Sequence, residues 1–94
     1  MFDIRDAGDG TLILEGRFDA SQVDRAQAVL GEVEGSCEID CAGLEYISSA
    51  GLGVLLATYK RLSASGHTIR LRNMRKLVRD VFRYSRMDTI FVVD

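Results

Sequence analysis

Apolar residues recur with a period of two in some stretches of this chain and with a helical period in others, and the two regimes alternate along its length. That alternation narrows the possible folds more than any single residue does. Two strand-like stretches come first, and thereafter each helical stretch lies between two strand-like ones, so the order reads β-β-α-β-α-β-α-β. A helix between two strands carries the chain back over the sheet and makes those strands parallel, whereas the short first connection makes the opening pair antiparallel. The expected fold is α/β, a mixed β-sheet covered by helices. The 94 residues contain no proline and no linker, so a single domain over 1–94 is expected, burying roughly 60–65% of the surface its unfolded chain exposes.

Phe2-Asp3-Ile4-Arg5 alternates, Gly8-Asp9-Gly10 reads as a turn, and Thr11-Leu12-Ile13-Leu14-Glu15 reads as the returning strand of a hairpin. Asp19 and Ser21 are competent caps, Asp19 with Gln22 three residues on, for a helix from about 20 to 34 carrying Val23, Ala26, Leu30 and Val33. Gly35-Ser36 breaks it; Cys37–Cys41 then reads as a short central strand and residues 42–47 as a loop. Leu52, Leu55, Leu56, Tyr59 and Leu62 share one face of a helix that starts near Ser49 and stops at Gly66. Thr68–Arg72 alternates as a half-exposed strand. Asn73 is placed to cap a third helix with Met74, Leu77, Val78, Val81 and Phe82 on its apolar face, and Thr89–Val93 reads as a terminal strand.

Catalytic chemistry has little to work with. The one histidine, His67, follows the helix-ending Gly66 with no nucleophile near it in sequence, so it reads as a turn residue rather than a general base. Ile47-Ser48-Ser49-Ala50-Gly51 lacks the G-x-S-x-G elbow of a hydrolase, and Gly51-Leu52-Gly53 lacks both the third glycine and the Lys-Ser/Thr of a phosphate-cradling loop. Cys37 and Cys41, four apart along a strand, stand about 13 Å from each other and cannot pair. With no C-x-x-C and one histidine, no metal site and no cofactor are expected. No stretch approaches the roughly 18–20 apolar residues of a membrane span, and Met1–Asp6 does not have the form of a signal peptide, so a cytoplasmic protein without membrane contact is expected.

The net charge is −2, but the signs are segregated: residues 1–50 hold eleven acids against three arginines, and residues 51–94 hold nine bases against three acids, giving −8 and +6. A molecular dipole follows. Arg75, Arg79 and Arg83 fall on one helical face opposite the Leu77/Val81 stripe, which raises nucleic-acid binding as a reading. A solvated surface, or contact with an acidic protein surface, fits a chain of pI near 5.3 with few exposed aromatics better, and nucleic acid is not an expected partner. Tyr46, Met74, Tyr84 and Met87 are apolar residues placed either to line a partner surface or, the reading preferred here, to pack in the core or at its rim.

What remains is the serine pair. A strand, a loop and a helix starting near Ser49 put a hydroxyl at a helix N-terminus, where it serves as an N-cap. The unpaired amides and positive dipole end there also tolerate a phosphate, which would add about −2 charge without unfolding the helix.

The run Asp40-Cys41-Ala42-Gly43-Leu44-Glu45-Tyr46-Ile47-Ser48-Ser49-Ala50-Gly51-Leu52-Gly53-Val54-Leu55-Leu56 resembles the central signature of STAS domains, the family of bacterial anti-sigma factor antagonists. Gly16-Arg17-Phe18-Asp19 is similar to the family's Gly-x-Phe/Leu-Asp ahead of its first helix, and the element order agrees over the whole chain. The resemblance implies a mixed sheet with helices packed mainly on one face. It also implies a non-enzymatic protein that binds an anti-sigma factor serine kinase and so frees a sigma factor. In that scheme the kinase phosphorylates and releases the antagonist, and a serine phosphatase resets it. The acceptor lies two residues before the helix-opening glycine, here Ser49, with Ser48 as second candidate; several antagonists carry aspartate where this chain has Ser48. The implied partner surface comprises Asp19, Ser48, Ser49, Ala50, Gly51 and Leu52, on a protein expected to be a monomer. The alternative is a STAS scaffold or transporter-associated subunit that is never phosphorylated.

Overall fold

A computed structural model describes residues 1–94. Its core is one cluster of 22 buried hydrophobic side chains, built on a five-stranded sheet in which every strand neighbours the next in sequence: β1 (Phe2–Gly8), β2 (Thr11–Phe18), β3 (Cys37–Ile47), β4 (Ile69–Arg72) and β5 (Val92–Val93). β1 and β2 are antiparallel and the other three pairings parallel. Three right-handed crossovers that all advance in one direction place their helices on the same side of a sheet. The burial pattern shows that side. Ile4, Leu12, Leu14, Ile39, Ile69 and Leu71 are buried beneath α1 (Val23–Leu30), α2 (Ser49–Ser63) and α3 (Lys76–Tyr84), while Arg5, Glu38, Arg70 and Arg72 occupy the other face.

The hairpin turns through Asp9-Gly10, both at positive φ (53° and 77°), the mirror-image turn whose twist suits two adjoining strands. Both of its strands run three residues further than the alternation suggests. The larger departure is β3, which continues through the segment expected to be a loop. Its register against β2 slips between Ile13 and Glu15 and again between Gly16 and Arg17. Each slip lets one extra residue of β3 bulge out, so the buried positions Cys41, Leu44 and Ile47 come at intervals of three rather than two. Gly16, at φ +85°, sits at the second slip with the Met1 carbonyl so close that no Cβ would fit.

Helices α1 and α3 also depart from expectation at an end. Asp19 caps a single 3-10 turn (Ala20–Gln22), and α1 follows from Val23 and ends at Leu30, short of 34. Glu32 and Glu34 would place negative charge at the negative end of the helix dipole, which opposes continuation. Asn73 does not cap α3. It adopts a left-handed conformation (φ 61°) and donates from its side chain to the Asp40 carboxylate at 3.2 Å, while Arg75 occupies the cap position. Counted from there, Met74, Val78 and Phe82 enter the core. Leu77, expected among them, is 60% exposed. The chain end forms a 3-10 turn (Met87–Thr89) before the two-residue β5, rather than a strand from Thr89.

The expected dipole is partly neutralised where the acidic and basic halves pair. On the open face Glu38 meets Arg70 (4.0 Å) and Arg72 (3.5 Å), and Asp94 meets the same two arginines at 3.0 and 3.8 Å. Such exposed pairs each contribute about 0–1 kcal/mol, so their weight is in matching strand neighbours.

Cys37 and Cys41 are both free and buried on the helix side of β3. Burial pushes both thiols up from the ordinary 9.0, Cys41 to about 12 with help from the nearby Asp40 charge. A raised folded-state pKa means that the stability tied to the neutral thiols is complete below pH 9 and is lost as pH climbs towards about 12. Two outcomes follow. A thiol-specific disulfide reagent at pH 8 leaves both cysteines unmodified in the native protein and titrates both in denaturant, and Cys41→Ala, less stable overall, shows a shallower loss of stability across that alkaline window in urea unfolding.

Candidate functional site

The ends of β2 and β3 lie side by side, Phe18 opposite Ile47, and the chain leaves each of them toward a helix. The Ser48 amide donates to the Phe18 carbonyl at 2.9 Å, which continues the parallel ladder one step beyond the strand and ties the start of α2 to the end of β2. Ser48 is the N-cap of α2, with extended backbone angles and its Oγ accepting from the Gly51 amide at 3.2 Å. Ser49 is the first helical residue. It is exposed and its hydroxyl takes part in no hydrogen bond within the protein. The amides of Ser49 and Ala50, in the first turn, have no intrahelical acceptor and point along the positive end of the dipole.

Gly51 is the contact point between helix and strands. It is buried with ordinary helical angles, so what it supplies is space rather than the tight turn its position suggests. A Cβ there would lie 2.9 Å from both the Phe18 carbonyl oxygen and Ile47 Cγ1, and 3.1 Å from Phe18 Cγ. Leu52 next to it is buried and anchors the first turn in the core, which leaves it little surface for a partner. Gly53 faces open space.

Asp19 follows Phe18 directly. Its carboxylate accepts from the Ser21 hydroxyl at 2.6 Å and the Ser21 amide at 3.1 Å, and these donors, the hydroxyl foremost, hold it below the ordinary carboxylate range, against a smaller opposing effect of burial. It is a fixed negative charge at the end of β2. The structure therefore brings Asp19, Ser48, Ser49, Ala50 and Gly51 together at one end of the sheet.

Sequence reasoning missed the contact between Arg17 and Tyr46. They are register partners on the open face at the same end, and the guanidinium carbon stands 4.3 Å from the ring centroid. Only the bulged pairing makes them neighbours, because they are twenty-nine residues apart. Residues 48–52 line none of the surface depressions; a projecting hydroxyl at a helix end suits contact with a macromolecule better than enclosure of a small one. No helix is long and apolar enough to cross a membrane.

A one-faced mixed sheet whose central strand feeds a capped, glycine-seated helix is the architecture of a STAS domain. The chain belongs to that family: the model described as Mlab, STAS domain, matches residues 2–94. No curated protein matches the sequence. Among solved structures, a candidate anti-sigma factor antagonist of Thermotoga maritima superposes with a TM-score of 0.79 at 20% identity, covering 98% of this chain and 84% of that one. The anti-sigma factor antagonist SpoIIAA in its unphosphorylated form gives 0.67 at 22% identity over 89% and 83% of the two chains. The phosphorylated form of Bacillus SpoIIAA gives 0.70 at 20% over 100% and 91%. At these identities the likeness is one of fold.

Two substitutions test the helix start. Gly51→Ala is expected to cost about 1–3 kcal/mol despite the better helix propensity of alanine, because its methyl must displace Phe18 or Ile47, whereas Gly53→Ala on the same helix should gain up to about 1 kcal/mol. Urea denaturation of both variants reads the opposite signs. In the same assay Ser48→Ala should lose about 1 kcal/mol, and Ser48→Asp, which offers the Gly51 amide an equivalent acceptor, should keep wild-type stability.

Proposed function

We propose that this chain is an anti-sigma factor antagonist: a cytoplasmic, non-enzymatic bacterial regulator, one STAS domain acting as a monomer, that binds an anti-sigma factor serine kinase and so releases a sigma factor. The observation that carries the reading is the pair of serines at the start of α2. Ser48 is committed to capping, while Ser49 presents an exposed, unbonded hydroxyl one residue later.

In this reading the partner surface is Asp19 with Ser48, Ser49, Ala50 and Gly51, and Leu52 supports it from beneath. The kinase transfers the γ-phosphoryl group of ATP to Ser49 Oγ; the hydroxyl proton leaves, and ADP is the other product. Ser48, half-buried and already bonded to the Gly51 amide, is the weaker acceptor. The phosphate dianion would lie at the free amides and positive dipole end of a 15-residue helix, so the domain stays folded. The same dianion beside the ionised Asp19 weakens a packed interface, through desolvation and repulsion of acidic groups on the partner. A serine phosphatase restores the binding form. Fold similarity to SpoIIAA in both its unphosphorylated and phosphorylated forms supports such a cycle.

Intact-mass spectrometry before and after incubation with ATP and serine kinases from the cell extract tests the acceptor, with one added phosphate mapping to Ser49 as the expected result. With the kinase in hand, Ser49→Asp should bind at least about tenfold more weakly than wild type, while Ser49→Ala binds constitutively and circular dichroism shows both folded. Equal affinities for wild type and Ser49→Asp would sink the switch. No phosphate, from an extract that modifies a control antagonist, would assign the chain to the unswitched STAS scaffolds or transporter-associated subunits.

A further inference from the structure

We propose that the outer face of α3 is a docking surface for an acidic segment of a partner protein carrying a large apolar side chain, separate from the Ser49 site. Helix α3 meets the core through Val78 and Phe82, with Met74 just ahead of it. Leu77 and Tyr84, seven residues apart and so on one side of the helix, are not needed for that contact and stand 60% and 89% exposed, with half-buried Val81 between them. Beside Tyr84 lies a shallow depression of about 330 Å³ whose other lining residues, Lys76, Asp80 and Arg83, are charged, so it gives the apolar patch a polar margin.

Charge selects the occupant. Between Lys76 and Arg86 the chain carries Lys76, Arg79 and Arg83 on the helix and Arg86 just past its end, against Asp80 alone. Lys76 pairs with Asp80 at 2.9 Å and Arg79 reaches the Asp94 carbonyl at 3.4 Å. Arg75, at the cap position, is spent on the Ala42 carbonyl at 2.9 Å. The guanidinium groups of Arg83 and Arg86 make no ion pair or hydrogen bond and remain free to meet carboxylates. Two free cations around an apolar centre are a poor phosphate-backbone track, which needs a row of them. Two exposed apolar side chains on a nine-residue helix are likewise too little to lie in a lipid surface. A second copy is disfavoured because a two-fold contact would oppose identical basic helices. Tyrosine and arginine at the margin of a small apolar patch are the residue types that dominate protein–protein contacts.

The chain contains no tryptophan, so Tyr84→Trp puts a single, selectively excitable indole on the surface at an exposed, permissive position. The probe is a synthetic amphipathic peptide of roughly 18 residues with leucines on one helical face and glutamates elsewhere. The expected result is a blue-shifted emission on titration, weakened at least about tenfold by Leu77→Ala or Arg83→Glu in that background, reduced by added salt, and abolished when lysines replace the peptide's glutamates. Ser49→Asp should leave this binding unchanged, so its outcome is independent of the phosphorylation reading. No shift at peptide concentrations up to about 1 mM would overturn the proposal. So would binding indifferent to Leu77→Ala, or a stronger response to a DNA duplex or to phosphatidylglycerol vesicles.

Discussion

From Thr11 to Phe18 the second strand runs parallel to the third through a register that slips twice, and those two slips decide where everything downstream begins. Each bulge adds one residue to β3 without lengthening β2, so the ten residues Glu38–Ile47 of β3 cover the eight of β2 and the two strands still end level. Level ends let the Ser48 amide take the Phe18 carbonyl, and that bond fixes the height of α2 above the sheet. Gly51 then touches Phe18 and Ile47 closely enough that only a hydrogen fits. Without the bulges, α2 would start at a different height and Ser48 and Ser49 would not share the end of the sheet with Asp19.

β3 also outruns its other neighbour. Pairing with β4 stops at Asp40 opposite Arg72, and beyond that point its free edge would be exposed. Helix α3 closes the gap. The Arg75 guanidinium donates to the Ala42 carbonyl and Asn73 to the Asp40 carboxylate, both on this edge. These two residues look in sequence like part of a basic ridge and a helix cap; in the fold they seal a strand. Arg61 does similar work between helices, donating from α2 to the Leu30 carbonyl at the end of α1.

The element order, the hairpin turn and the start of α2 were legible because each has a local cause: alternation, an Asp-Gly turn, serines ahead of a one-sided apolar pattern. The continuation of β3 was not, since residues spaced by three on the buried face resemble neither a strand nor a helix until the partner strand is known. Leu77 was misplaced for a related reason. On a helix of nine residues the apolar stripe is broad enough to be drawn one position off, and only the seating of Met74 against the core settles which residues turn inward. The serine pair was legible as the start of the helix, but the different placement of its two members was not, because Ser48 and Ser49 are chemically identical and differ only in backbone angle, in exposure and in whether the hydroxyl accepts an amide.

That difference has a physical consequence for the alternatives at position 48. An aspartate there would accept the same Gly51 amide and add a negative charge at the positive end of the helix, so helix stability does not discriminate between the two residues. What differs is the electrostatic background of Ser49. With serine at 48, Asp19 is the one acidic group among the residues gathered at this end of the sheet, and a phosphate on Ser49 would supply most of the local negative charge. With aspartate, part of that charge would already be present. The dianion would add the same potential in either background, but with serine at 48 it would make up the larger share of the local negative charge.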